Sequence, residues 1–397
     1  MFNTSERVKE LKPSPTLSMS SLAQSLKAEG KAVISLAVGE PDFDTPEFVK
    51  EAAIRAIQMG YTKYTPTEGI SALRQAIVQK FKTENHLDYD LKSVMVTSGG
   101  KQAIYNLAQV YLNPGDEVIV PSPYWVSYPD ICLLAGAKVR MIQTGLEQTY
   151  KIRPEQLEQT LSNASANVKL FILNSPSNPT GMVYSQEELK ALGAVLEKHR
   201  QILILSDDIY EHLLWEGKEF SNLAMACPQL KDRVVIAHGL SKTSAMTGWR
   251  IGFMAGPQNL IAAMIDLQSQ STSNPCSISQ YAALEALSNP DKMQHYVKNM
   301  IQVFKTRHDY LLEQLNQIPG FKCTAADGAF YLFPEIKGFM AHLGLKTDLD
   351  LAMYLLKQAH LAMVPGSAFG ASGYLRFSFA TSLENLEMAI ARLKTFV

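Results

Sequence analysis

The chain has 397 residues, too many for one compact core, so two domains are expected. It is 46% hydrophobic and 19% charged, and 37 Lys and Arg against 38 Asp and Glu leave a formal charge of -1. That balance argues against a basic nucleic-acid grip and against an acidic tail. No apolar run approaches a membrane span, and the start, MFNTSERVKELK, has neither an apolar core nor a cleavage site. The four cysteines, Cys132, Cys227, Cys276 and Cys323, form no CxxC pair, which speaks against a disulfide framework and a zinc site. The expectation is a cytoplasmic α/β protein that handles small molecules, with no metal, nucleic-acid or membrane partner.

In chain order, short β-branched runs alternate with helical spacing. The strand candidates are Val94 to Thr97, Glu117 to Val120, Val139 to Ile142, Leu170 to Leu173, Ile202 to Leu205, Val234 to Ala237 and Gly252 to Ala255. Gln102 to Leu112 puts Ile104, Leu107, Ala108 and Tyr111 on one helical face. Strands apolar on both faces and separated by helices predict a mostly parallel sheet, with ligands gathering beyond its carboxyl ends. The last third changes character. Pro290 to Gln317 reads as one long helix opened by its proline. Strands follow at Phe321 to Cys323, Ala329 to Phe333 and Leu375 to Phe379, then a closing helix from Ser382. The predicted division is an N-terminal arm with part of a small domain (1–45), a large α/β domain (46–300) and a small α+β domain (301–397).

Gly and Pro cluster at predicted strand ends, where backbone has to approach a ligand closely. Ser98 to Gln102, SGGKQ, lies between a strand and a helix, where glycines and free N–H groups form a phosphate seat. Neither a Walker loop nor GxGxxG is present, so on this fragment alone a plain Gly-rich turn is the simpler reading. GLSKTSAMTGWRIG, from Gly239 to Gly252, is far more specific. Lys242 sits among small residues that leave room for a flat ring, and Arg250 is placed to neutralise a phosphate. A buried amine with a lowered pKa suits a Schiff-base lysine. The bland alternative, a solvated lysine and a surface arginine, does not account for the whole pattern.

GLSKTSAMTGWRIG resembles the pyridoxal-phosphate attachment signature of class I and II aminotransferases. The resemblance runs over nearly the whole chain, through VGEPDFDTP, YTPTEG, SGGKQ, PYWVSY, NSPSNPTG, DDIYE and YLRFS. It points to subgroup Ib, the bacterial aspartate aminotransferases, some of which also use prephenate. The implied fold is the fold type I transferase, with a mostly parallel seven-stranded sheet in the large domain and a smaller α+β domain.

The resemblance implies a role for each motif residue. Lys242 is the attachment and proton-transfer lysine, and Asp207 pairs with the protonated pyridine nitrogen. Tyr210 and Asn178 face the cofactor's phenolic oxygen. Gly99, Gly100, Lys101, Ser241 and Arg250 belong to the phosphate side, and Trp125 stacks on the ring. Tyr64 reaches the phosphate in a neighbouring subunit, which implies a homodimer with shared sites. Arg376 and the backbone at Gly39 hold the substrate α-carboxylate, and the bonds before Pro123 and Pro179 are expected to be cis. Simpler alternatives stand beside several of these: a helix N-cap for Asp207 or Asp208, ordinary core for Trp125, an outward-facing edge-strand arginine for Arg376.

The chain departs from other branches at Ser269, where another subgroup has an arginine for the distal carboxylate. In subgroup Ib that task falls to the lysine matching Lys101, and Lys12 matches an N-terminal lysine linked to prephenate use. Gly239 replaces a phosphate-binding serine of some relatives, leaving Ser241 as the nearer candidate. The expected reaction is ping-pong transfer from L-aspartate to 2-oxoglutarate. Its rivals are an aromatic or kynurenine aminotransferase, a lyase of the same fold, and a cofactor-sensing regulator, for which residues 1–30 are too few to hold a DNA-binding domain.

Overall fold

The computed structural model describes residues 2–11, 15–163 and 167–397. Its strands are β1 (Ile34–Ser35), β2 (Val94–Thr97), β3 (Glu117–Ser122), β4 (Lys138–Gln143), β5 (Val168–Asn174), β6 (Leu203–Asp207), β7 (Val234–Gly239), β8 (Gly252–Ala255), β9 (Tyr331–Leu332), β10 (Leu361–Ala362), β11 (Val364–Pro365) and β12 (Leu375–Ser378). Seven of them form one sheet in the order β2-β8-β7-β6-β5-β3-β4, in which only β8 runs antiparallel to its neighbours. All seven strands expected in the middle of the chain are therefore present in one mostly parallel sheet.

Both faces of this sheet are covered, which is why its strands read as unbroken apolar runs. Alternate residues enter different cores, as the pleat requires. Val94, Val96 and Ile204 pack into one cluster, while Met95, Leu203 and Leu205 enter the cluster on the other side. With β2 running parallel to β7, the carboxyl ends of β2, β3, β5, β6 and β7 lie along one edge. That edge presents Thr97, Ser122, Asn174, Asp207 and Gly239, and the chain leaves each of them for a functional loop.

A third core gathers Met19, Val33, Ile34 and Leu36 with residues from Met300 to Leu393. Near-N-terminal and C-terminal residues are thus held together, and β1 pairs in parallel with β10 through Ile34↔Leu361 and Ser35↔Ala362. The helix Pro290–Asn316 spans 27 residues and buries Met300, Phe304, His308, Leu311 and Leu315 on one stripe. A small antiparallel sheet, β11-β12-β9, completes this part.

The strand expected at Phe321 to Cys323 reduces to one isolated bridge, Lys322 to Glu335. The backbone groups of Cys323 are taken instead by the side chain of Asn316, with N to Oδ1 and Nδ2 to O both at 2.9 Å. No helix among the described residues is long and apolar enough to cross a membrane.

Phe304 is fully buried among Phe43, Phe330 and Phe379, with ring centroids 5.5 to 6.1 Å apart. Phe304→Ala is expected to destabilise the fold by about 3–5 kcal/mol through lost burial and a residual cavity. The drop in urea midpoint measures it, and a midpoint unchanged from wild type would contradict this packing.

Candidate active site

Beyond the carboxyl edge of the large sheet lies a cavity of about 320 Å³. It is walled by Gly39, Gly100, Lys101, Trp125, Asn178, Asp207, Tyr210, Ser241, Lys242, Arg250 and Arg376. Eleven of the residues singled out from sequence thus share one wall, although they are drawn from positions 39 to 376. Three others stand apart. Gly99 sits behind the wall as the cap of the helix Gly100–Tyr111. Tyr64 is 91% exposed and does not line this chain's own cavity. Lys12 lies outside the described residues.

Lys242 sits on the turn that follows β7, and its Nζ donates to the carbonyl of Gly39 at 2.5 Å. Burial lowers its pKa to about 8; Glu40 works against that shift, and the cations of Arg376 and Arg250 add to it. Asp207 ends β6 and is pushed up to about 6 by burial, opposed by hydrogen bonds from Tyr128 and the Ile209 amide. Tyr128 Oη donates to its Oδ2 at 2.6 Å. A buried carboxylate held by one phenol and one long amide contact lacks the cationic hydrogen-bond partner that its charge requires. The N-cap reading for this pair does not hold, because turns rather than a helix follow Asp208. Asp208 instead accepts from Ser206 Oγ at 2.6 Å and Asn222 Nδ2 at 2.7 Å.

Arg376 is 3% exposed, which rules out the outward-facing alternative. It lies on β12, the middle strand of the small sheet, so it has no open edge to reach. Nη1 donates to Asn178 Oδ1 at 3.0 Å and Nη2 to the Ala37 carbonyl at 2.6 Å. Its Nε has no partner, and the rings of Tyr331 and Phe369 lie 4.6 and 5.1 Å from the guanidinium carbon. A buried guanidinium with an orphaned N–H calls for an anion.

At the other end, Arg250 donates from Nη1 to the Thr247 carbonyl at 2.8 Å and crosses the backbone of Gly99. The two neighbouring glycines do different things. A Cβ on Gly99, where φ is +87°, would lie 2.4 Å from Arg250 Nη2, whereas one on Gly100 would meet only ordinary contacts. Gly99 therefore lets a cation, a helix start and Ser241 face the same space, a concave seat for a phosphate. Lys101 stands above Trp125, with Nζ 5.1 Å from the ring, and its pKa is lowered by burial and by Arg250. Trp125 meets Tyr128 edge-on at 5.3 Å and lines the cavity.

Several neighbours carried no assigned role in sequence. Tyr128 closes PYWVSY and turns out to hold Asp207. Tyr331 meets Tyr210 hydroxyl to hydroxyl at 2.9 Å, from a strand with nothing polar in its pattern to mark it. Asn174 Nδ2 donates to the Asp207 carbonyl at 2.8 Å, and its Oδ1 receives the amide of Asn178 at 2.8 Å. The peptide bonds before Pro123 and Pro179 are cis as expected, and the one before Pro176 is cis as well.

With its pKa drawn to about 8, Lys242 presents the neutral, reactive amine at a pH where surface lysines remain protonated. Acylation of the cofactor-free protein, followed by peptide mass spectrometry, is expected to show Lys242 reacting with a midpoint near pH 8. A midpoint in the ordinary lysine range would refute this environment.

Comparison with known proteins agrees with this geometry. Residues 31–393 match the family model described as aminotransferase class I and II. An aspartate/prephenate aminotransferase of Nitrosomonas europaea is 50% identical over 399 residues, covering 99% of each chain. An aspartate aminotransferase of Geobacillus stearothermophilus is 49% identical, over 99% of this chain and 98% of that one. The structure of the Thermus thermophilus aspartate aminotransferase with maleate superposes with a TM-score of 0.94 at 42% identity, covering 100% of each chain. A buried amine opposite a buried carboxylate, on this sheet and in this sequence frame, places the chain in the class I and II aminotransferase family.

Proposed function

We propose that the protein is a pyridoxal-phosphate-dependent aspartate aminotransferase, moving the amino group of L-aspartate to 2-oxoglutarate in two half-reactions and accepting prephenate as a further substrate. The observation that carries this reading is the placing of Lys242, Asp207, Arg250 and Arg376 around one cavity. The names of the relatives support the choice of aspartate and prephenate.

The residues present fit the cofactor. The Gly99 and Arg250 cradle suits a phosphate, the under-partnered Asp207 suits a cationic ring nitrogen, and Lys242 suits an aldehyde. When bound, pyridoxal phosphate supplies an aldehyde carbon that condenses with amines and a ring that accepts the electron pair of the substrate's α-carbon. Asp207, ionised beside that ring, holds the proton on the pyridine nitrogen. Tyr210 and Asn178 are the groups toward its phenolic oxygen. Arg376 takes the substrate α-carboxylate with the help of its free Nε, and Lys101 takes the distal carboxylate. With the cofactor bound, the Lys242 amine would take the α-proton as general base and return it, as acid, at the cofactor's C4′ on the far side of the nitrogen. Trp125 and the apolar walls keep water from that transfer.

Tyr64, so far out of its own chain's cavity, supports a homodimer in which it completes the partner's phosphate site. For Lys12, outside the described residues, a link to prephenate use rests on its sequence match.

Two variants test this reading. Lys242→Ala is expected to lose turnover, and borohydride treatment of the wild type should place the reduced label on the Lys242 peptide. A label on another lysine would sink the assignment. Lys101→Ser removes a charged partner for the distal carboxylate, so kcat/KM for aspartate should fall roughly 10- to 150-fold, a loss of about 1.5–3 kcal/mol. Phenylalanine should be nearly unaffected; an equal loss for both amino acids favours the aromatic rival.

A further inference from the structure

At the back of the cavity, whose lining includes His238, lies a second cluster of buried ionisable groups that carries no role in the proposed reaction. Glu211, next in sequence to Tyr210, is 5% exposed and sits at its centre. Its Oε2 accepts from Lys80 Nζ at 2.5 Å, and its Oε1 from Asn85 Nδ2 at 2.8 Å. Asn85 Oδ1 also receives Lys80, at 2.7 Å. His238 Nε2 approaches Glu211 Oε2 at 2.8 Å in a bent contact. The other ring nitrogen, Nδ1, lies 2.6 Å from the amide of Gly239. The imidazole is stacked on Phe253 with centroids 5.0 Å apart and planes 13° apart. Farther out, His212 Nε2 meets Glu84 at 2.8 Å, and Lys80 reaches the same carboxylate at 3.6 Å.

These contacts settle the protonation pattern. Because Nδ1 accepts the Gly239 amide, Nε2 carries the ring proton, on the side facing Glu211 but off the line of a straight hydrogen bond. Burial and the Lys80 ammonium push the His238 pKa down to about 4, so the ring is neutral at working pH. Glu211 is held well below its ordinary value by Lys80 and by the nearby histidines, against the effect of burial. The carboxylate, His212 and His238 place their ligand atoms within 4.8 Å of one another, a spacing that would suit a metal ion. Lys80 already supplies the positive charge there, and the proton of His238 is directed inward, so a resident cation is not what the cluster is built for.

Three separate elements meet at this one carboxylate. Lys80 comes from the helix Ser71–Glu84, Glu211 from the turn after β6, and His238 from the end of β7. The turn carries Asp207 and Tyr210, and the segment after His238 leads within four residues to Lys242. The paired register between these two segments ends at Asp207↔Ala237, with one further bond from the Asp208 amide to the Ala237 carbonyl at 2.9 Å. Past that bond no backbone hydrogen bond among the described residues joins the two loops, so side chains have to set the distance between the carboxylate and the amine. We infer that Lys80, Glu211 and His238 form a positioning clamp that sets the Lys242 segment against the Asp207–Tyr210 turn, with the Nε2–H of His238 as its working contact.

The inference rests on the transaminase reading for its kinetic consequence but not for its chemical one, since the amine of Lys242 is measured in the cofactor-free protein. If the borohydride label does not fall on Lys242, the transaminase reading fails by itself, whereas the amine midpoint still reports on the clamp. His238→Leu removes both ring nitrogens, while His238→Gln returns an N–H donor near the position of Nε2. The Leu variant is expected to lower kcat about tenfold or more with KM for aspartate nearly unchanged, because orientation rather than substrate binding is lost. It should also move the Lys242 acylation midpoint upward from about pH 8 as the amine leaves its buried setting. Gln should restore both readings. A folded Leu variant with both values at wild-type level overturns the proposal, and so does equal impairment in Leu and Gln, which would assign the effect to packing on Phe253. Should the Leu variant not fold, Glu211→Gln, which keeps the side-chain shape, is read in the same way. Loss of folded protein in both would make the cluster a stability element and reject the positioning role.

Discussion

Everything at this site follows from keeping one amine out of water without an ion-pair partner. A lysine prefers its charged form, and only burial beside other cations shifts it toward neutrality. The fold meets that requirement by placing Lys242 between Arg376 and Arg250 and giving its proton a backbone carbonyl, that of Gly39. A carboxylate close enough to form a tight salt bridge would undo it. Asp207 does not serve as that partner, because its own nearest donor is Tyr128. Burial thus displaces two groups of opposite type toward their neutral forms within one cavity.

The sheet supplies this arrangement cheaply in geometric terms. Parallel strands bring their carboxyl ends to one edge, so Asn174 and Asp207 are neighbours in register and the turn with Lys242 starts one strand farther on. The small sheet then delivers Arg376 from the far end of the chain. Its guanidinium is anchored at both Nη atoms, to Ala37 from one side and Asn178 from the other. The orphaned Nε leaves this buried guanidinium one donor short of a full set of partners.

Much of the fold was legible because burial on both faces leaves a plain trace. Val234 to Ala237 and Ile202 to Leu205 could be little else than inner strands, and the stripe from Met300 to Leu315 could only be a long amphipathic helix. The Phe321 to Cys323 stretch misled, since an apolar pattern does not reveal that a side chain, Asn316, will take the backbone groups a strand needs. Lys242, Asp207 and Arg250 were legible through motif density. Tyr331 and the Glu211 cluster were not, because their partners lie between about 27 and 131 residues away and no local spacing records such a meeting.

The sequence alone determined the strands, the long helix and the set of residue types able to do imine chemistry, because periodicity and short-range composition are local properties. Tertiary structure decided which of those residues share a wall, which way Arg376 faces and how far the pKa of Lys242 falls. Those outcomes depend on dielectric and on distances between segments far apart in the chain, and both come into being only when the large sheet, the small β11-β12-β9 sheet and the helix Pro290–Asn316 have packed.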